Sequence, residues 1–280
     1  MKKIVRKIMF AICLALFVYS AFNIYGILAE YKEGNDAYNE VGKNVEVVTN
    51  STEEFEPIVI EPSTKEETQT EEVIIYEEQE VFSLDVDWSN LTEPVIGWIS
   101  IQDEDRINYP VVQSEDNNYY LNHLYDGTYN KNGSIFVDYR NDGLENRHVI
   151  IYGHNMRSGA MFAPIKNYLN QEYADEHRYI YIGTPNGETR VFYVYAAQKT
   201  DALGDEDGFS AYQISFDGEE WQEWIAKTQE KSAISAGIEL PEKCNIITLS
   251  TCAGGVKTQR IVVHAVEVAN KELIPINETK

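Results

Sequence analysis

The stretch NIITLSTCAGGVKTQRIVVHAVEVA, Asn245 to Ala269, decides how this chain folds. CNIITLST and QRIVVHAVEVA are alternating, β-branched runs and read as two strands. Between them AGGVKTQ, Ala253–Gln259, is a short connection with a Gly-Gly pair. If the two strands are neighbours, Cys252 ends one and Arg260 begins the next. Adjacent strands lie about 4.8 Å apart, so a thiol and a guanidinium can reach one common site. A fixed cation near a thiol favours the thiolate, which is the nucleophile. The guanidinium also offers donors to a developing oxyanion.

Upstream, the same patterning recurs. VIGWISI (Val95–Ile101), INYPVV (Ile107–Val112), GSIFVD (Gly133–Asp138), HVIIYG (His148–Gly153), YIYIG and TRVFYVYAAQ read as further short strands. EDNNYYLNHL (Glu115–Leu124) reads as a short helix. Ser158–His177 has helical spacing at Met161, Ile165 and Leu169, with Pro164 marking a break. Asp217–Ser232 reads as an amphipathic helix with Trp221, Trp224, Ile225 and Thr228 on one side. Many short strands with few helices suggest a mainly β fold, a mostly antiparallel barrel or sandwich with helical insertions.

A cysteine nucleophile needs a proton carrier, usually histidine. His154 directly follows the strand HVIIYG, at a strand end where loops carry sites. His264 lies four residues past Arg260, about 13 Å further along an extended strand. His148 begins the strand that leads to His154, and His123 and His177 lie in polar helical or loop contexts. Position alone favours His154. Each residue also has an ordinary structural reading: Cys252 as a small buried residue, Arg260 as an edge cation, His154 as a turn residue. The remaining cysteines, Cys13 and Cys244, read as buried or lipid-facing. Eight extended residues separate Cys244 from Cys252 by about 26 Å, too far for a disulfide.

Charge and hydropathy divide the chain. Lys2, Lys3, Arg6 and Lys7 form a basic tail, residues 1–7. The apolar run from Ile8 to Ala29 is long enough to span a bilayer, which needs about 20 residues. The basic flank places the N-terminus inside and the rest outside, as a retained signal anchor. Residues 30–81 hold 16 acidic and three basic residues and little apolar pattern, and read as an extended acidic stalk. A folded domain is expected over residues 82–280. The net charge of −23 argues against a nucleic-acid partner, because phosphate binding needs a basic surface.

TLSTC (Thr248–Cys252), the following Arg260 in RIVVHA and the upstream YGHN with His154 together resemble the sortase signature. The segments VIGWISI, INYPVVQ, DNNYYL, GSIFVDYRN and MFAPIKNYL, with the helix at 217–232, resemble class B sortases in particular. The resemblance runs from about Leu84 to Val268.

It implies an eight-stranded sortase β-barrel anchored on the outer face of a Gram-positive membrane. It also implies a cysteine transpeptidase that cuts a C-terminal sorting signal, resembling N-P-x-T-x, after Thr. The protein so released is joined through a thioacyl-enzyme to an amine of the peptidoglycan cross-bridge or its lipid-linked precursor. Polymerisation of pilins and simple hydrolysis are the alternative outcomes. The resemblance assigns catalysis to Cys252, His154 and Arg260, and the signal groove to Asn117, Leu121, Tyr152 and Ser250. Ser250 also shares the Cys252 face of its strand. No cofactor or metal is implied. Many relatives carry an acidic residue soon after the cysteine, whereas this chain has Ala253, Gly254 and Gly255.

Overall fold

The computed structural model describes residues 2–43, 45–50, 57, 76–91, 95–252 and 258–275. In chain order they form helix α1 (Lys2–Gly42) and strands β1 (Glu46–Thr49), β2 (Tyr76–Glu80), β3 (Phe82–Asp85), β4 (Val95–Ile101), β5 (Asn108–Val112), β6 (Ile135–Val137) and β7 (His148–Tyr152). There follow helix α2 (Gln171–Glu176), strands β8 (Tyr179–Gly183) and β9 (Thr189–Asp201), helix α3 (Glu220–Glu230), and strands β10 (Ile246–Cys252), β11 (Gln259–Val268) and β12 (Lys271–Pro275).

Eight strands close into a barrel in the order β10-β11-β9-β8-β4-β5-β6-β7. The period-2 alternation explains both faces of β10. Ile247 and Leu249 point into the barrel among Ile99, Val111, Ile151, Phe192 and Val263. Ile246 points out, under α3, with Ile150, Val262 and Val266. The expectation of a mostly antiparallel sheet needs two exceptions, because β5–β6 and β7–β10 pair in parallel. The β7–β10 pair closes the barrel.

Helix α3 lies over the outer face of β9–β11 and buries Trp221, Trp224, Ile225 and Thr228, the face expected from spacing. Residues 115–124 do not form the expected helix. Asp116 Oδ1 accepts from the amides of Asn118 and Tyr119, at 2.7 and 2.9 Å, and this side-chain turn leaves one 3-10 turn over Tyr119–Leu121. The 158–177 segment is two pieces. Pro164 starts a 3-10 helix, Ala163–Leu169, rather than breaking one. Asn170 then caps α2 by accepting from the Glu172 and Tyr173 amides.

The extended-stalk expectation does not hold where residues 30–81 are described. Helix α1 continues thirteen residues past Ala29 and docks on the barrel. Asn130 Nδ2 donates to the Glu30 carbonyl at 2.9 Å, and Lys131 pairs with the Glu30 carboxylate at 2.8 Å. Asn132 Nδ2 donates to the Tyr31 carbonyl at 3.1 Å. Tyr38 is buried, its ring edge-on to Tyr109 at 5.2 Å. Further on, β1 pairs with β3 and β2 pairs with β12, both antiparallel. Residues 44, 51–56 and 58–75 of the expected stalk lie outside the described residues.

Candidate active site

The strand register assembles the site. On β10 and β11 Cys252 is the partner of Arg260, and Ser250 of Val262. On the other side Ser250 is the partner of Tyr152 at the end of β7. His154 lies two residues past Tyr152. Cysteine, arginine and histidine thus come from the ends of three consecutive barrel strands. The Gly153 amide donates to the Ser250 carbonyl at 3.1 Å, and Thr251 Oγ1 donates to the Gly153 carbonyl at 2.8 Å. These bonds tie the histidine turn to the cysteine strand. Gly153 is required by space: a Cβ there would fall 2.5 Å from Ile135 Cδ1 and 2.6 Å from Phe162 Cγ.

A cleft of about 560 Å³ opens on the outer wall at these strand ends. Asn117, Leu121, Tyr152, His154, Ser250 and Arg260 all line it, so the structure brings together six of the seven residues singled out from sequence. The seventh, Cys252, ends β10 in register with Arg260. Residues 253–257, the stretch without an acid, lie outside the described residues.

His154 Nε2 lies 2.7 Å from the Leu121 carbonyl. A carbonyl oxygen only accepts, so Nε2 carries a hydrogen and Nδ1 is the nitrogen that exchanges a proton. Main chain therefore orients this ring. Gly133 supports the arrangement from below with φ of +60°, and a Cβ there would meet the Leu121 carbonyl at 2.8 Å and His154 Cδ2 at 3.0 Å. Leu121, at 41% exposure, offers its side chain to the rim.

The floor carries a carboxylate that sequence reading did not single out. Asp138 is fully buried and grips Arg140 through two bonds of 2.8 Å. Tyr152 donates its hydroxyl to Asp138 Oδ2 at 2.8 Å, and Asn117 Nδ2 donates to the same oxygen at 3.1 Å. Burial alone would raise the Asp138 pKa. The Arg140 fork, its amide and the Tyr152 hydroxyl outweigh that and hold it below the ordinary carboxylate value. For Tyr152, burial and then the neighbouring carboxylate push its pKa up, so the phenol stays protonated. Tyr212 closes the far side, its hydroxyl 2.9 Å from Ser250 Oγ and its ring stacked on Tyr152 at 6.1 Å. The sequence signal for Asp138 is present in hindsight: an acid ending an apolar strand with Arg two residues on.

The other histidines are accounted for elsewhere. His148 and His264 are fully buried beneath α3 and share the Thr248 hydroxyl at 2.7 and 2.8 Å. His123 stacks on Tyr119 at 4.1 Å, and His177 Nδ1 lies 2.7 Å from the Gln102 carbonyl. Cys244 is a free, buried thiol, its pKa pushed up by burial to about 11. Among the described residues no group of three or more His, Cys, Asp or Glu converges as metal ligands.

Comparison with known proteins agrees with this geometry. Residues 99–268 match the model of the sortase domain. The chain is 36% identical to sortase B of Listeria monocytogenes over 169 residues, 59% of this chain and 65% of that protein, slightly under two thirds of its length. The crystal structure of Clostridium perfringens sortase B superposes with a TM-score of 0.59 at 31% identity, covering 65% of this chain and 97% of that one. A Staphylococcus aureus sortase B-substrate complex superposes at 0.57 with 30% identity, covering 68% and 83%.

Proposed function

Since the chain belongs to the sortase family, we propose that it is a class B cysteine transpeptidase working on sorting signals at a membrane. The carrying observation is the register that sets Cys252 beside Arg260 and, through Ser250 and Tyr152, next to His154.

The residues then divide the work. Cys252, as thiolate, attacks the Thr carbonyl carbon of a sorting signal. Arg260 donates to the oxyanion that forms. His154, protonated at Nδ1, gives that proton to the departing amine, leaving a thioester on Cys252. An incoming amine attacks the thioester, His154 Nδ1 takes its proton, and the thiolate departs. One amide is exchanged for another, so the cycle needs no ATP. Tyr152, Asn117, Leu121 and Ser250 line the path of the signal. Asp138 is unsuited to proton transfer, because Arg140, Tyr152 and Asn117 already occupy its oxygens.

The finer assignments belong to the same reading. The signal is of the N-P-x-T-x kind, borne by secreted proteins, and the acceptor is a cell-wall amine on the cross-bridge or its lipid-linked precursor. Helix α1 holds a run long and apolar enough to cross a membrane. Its basic start favours a single pass with the catalytic domain outside.

The test is a transfer assay on the full chain in detergent. Peptides of N-P-x-T-x and L-P-x-T-G types are offered with and without triglycine or diaminopimelate, and products are weighed. Cleavage after Thr, an acyl adduct on Cys252 and amine-dependent joined product are expected, all lost in Cys252→Ala. Cleavage to free acid alone, unchanged by amine, would make the enzyme a hydrolase.

A further inference from the structure

Two boundaries on α1 fall at the same residue. The apolar run ends at Ala29. From Lys3 to Ala29 every side chain is exposed, and the first partly covered residue is Glu30. The surface of the helix that lipid would cover stops where the surface covered by the barrel starts. With no spacer between them, the helix itself fixes the height of the domain above the bilayer.

The polar layer is wide enough to reach the protein. A bilayer has a hydrocarbon core of about 30 Å and a total thickness of about 40–45 Å, leaving about 5–8 Å of headgroup on each side. At about 1.5 Å per residue that layer covers about three to five residues of helix. Counted from Ala29, it spans Glu30 to about Gly34. Lys131, Asn130 and Asn132 bond to Glu30 and Tyr31 within that interval. The chain leaving Asn130 forms a hairpin in which the Asn130 amide donates to the Asn122 carbonyl and Tyr129 bridges His123. Tyr129 is 59% exposed and edge-on to His123, which stacks on the exposed Tyr119. Amphipathic aromatic rings at headgroup depth suit an interfacial belt.

We infer that the Asn122–Lys131 hairpin, with Tyr119 and Tyr129, rests in the outer headgroup layer of the membrane that holds α1. The contact is aromatic rather than ionic: Lys131 is already paired with Glu30, and Asp126 adds an acid to the hairpin turn. It is therefore indifferent to anionic lipid content. Leu121, on the same loop, then places one rim of the cleft at the lipid surface, where a membrane-borne substrate can enter without leaving the bilayer. This seat rests on the reading of α1 as a membrane span.

The test is depth-dependent quenching on the full chain in vesicles of phosphatidylcholine, with and without phosphatidylglycerol, carrying a nitroxide either on the headgroup or deep in the acyl chain. Tryptophan is added singly as Tyr19→Trp in the span, Tyr129→Trp in the hairpin and Glu188→Trp. Glu188 lies in the β8–β9 turn, where its carbonyl accepts from the Thr184 amide at 2.9 Å; the adjoining Gly183 packs on Leu84, which clusters with Val45 just past the C-terminal end of α1. The seat predicts loss of the added Tyr129→Trp emission with the headgroup label, equal in both lipids, and no loss for Glu188→Trp. If Tyr19→Trp is quenched by the deep label while Tyr129→Trp is not quenched by the headgroup label, the seat is wrong and the anchor stands. Equal headgroup quenching of Tyr129→Trp and Glu188→Trp also overturns it. If Tyr19→Trp escapes the deep label, the anchor reading fails and the seat fails with it.

Discussion

Tyr38 of the N-terminal helix donates its hydroxyl to the Gly133 carbonyl at 2.6 Å, and Gly133 is the residue on which the His154 ring rests. The same phenol meets Ser134 Oγ at 2.9 Å, and the Ser134 amide donates to the Tyr120 carbonyl at 2.9 Å. The N-terminal helix is thus two contacts from the His154 ring.

Gly133→Ala should disable the histidine without unfolding the barrel. The substitution places a methyl group within 2.6 Å of the Tyr120 carbonyl and 2.8 Å of the Leu121 carbonyl, at a φ that favours glycine. Displacing the Leu121 carbonyl frees the His154 ring. Misplacement on the order of 1 Å costs about 10²-fold in rate. The expected result is a fall in kcat of that order with a smaller change in KM, while circular dichroism stays native. An unchanged kcat would show that the Leu121 contact does not orient the ring.

Where the soluble domain is cut should matter. A piece from Phe82 to Lys280 removes Tyr38 from a core cluster that includes Tyr109, Leu124 and Ile165. Losing a buried aromatic typically costs about 3–5 kcal/mol. The piece from Glu30 should therefore melt well above the piece from Phe82, and its kcat should be higher by more than its KM differs. Thermal melts and peptide kinetics on the two pieces check this. Equal values would mean that α1 is only a tether.

Asp138→Asn should act on signal binding. The isostere keeps shape but loses the charge that holds Arg140, and hydrogen bonds to charged groups are worth about 1.5–3 kcal/mol. Arg140 is partly exposed, so its own loss is screened and smaller. Tyr152 and Asn117 lose a fixed anchor on the groove floor. A rise in KM for the signal peptide of about tenfold, with kcat little changed, corresponds to about 1.4 kcal/mol. A fall in kcat alone would instead place Asp138 in the proton path.

The strands were legible because they alternate, as Ile247 and Leu249 do against Ile246 and Thr248, and they led to Cys252 and Arg260; alternation left barrel and sandwich both open, and the barrel came from the sortase resemblance. His154 followed from its place just past a strand. The docked helix was not legible. Between Glu30 and Gly42 the only fully buried side-chain bearer is Tyr38, with Gly34 beside it. Much of the remaining contact is polar, with Asn130, Asn132 and Asn108 donating to helix carbonyls and Lys131 pairing with Glu30, while Ala37 and Val41 add only part-buried apolar surface. A Cβ at Gly34 would lie 2.5 Å from Asn132 Nδ2, so that glycine marks a close approach rather than a loose linker. Hydropathy registers poorly an interface that is mostly polar with one buried tyrosine, and the acidic composition pointed to a spacer. Asp138 was missed because two of its partners are distant in sequence: Tyr152 arrives when β6 and β7 pair, and Asn117 comes from the turn after β5.

Mild acid should loosen the barrel under α3. The Gln213 carbonyl lies 2.6 Å from His148 Nδ1 and only accepts, so that nitrogen carries the hydrogen. His148 Nε2 then accepts from Thr248, whose oxygen accepts from His264 Nδ1, leaving His264 Nε2 buried with no partner. Both rings are neutral; a proton added at His264 Nε2 has no acceptor to face, and one added at His148 Nε2 forces the Thr248 hydroxyl hydrogen out of its bond. Burial, partly offset by the Gln213 carbonyl, lowers the His148 pKa to about 4, and burial holds that of His264 well below its ordinary value. The unfolded histidines titrate near 6.5, so below that pH the unfolded chain binds more protons than the folded one. The stabilisation is complete above pH about 6.5 and is lost as pH falls towards 4. For His148 alone that is about 3 kcal/mol. Urea unfolding between pH 7.5 and 4.5 should show the slope, and His148→Gln should flatten part of it. A stability independent of pH over that interval would mean that one ring is charged in the native state and that the Thr248 chain runs in the opposite sense.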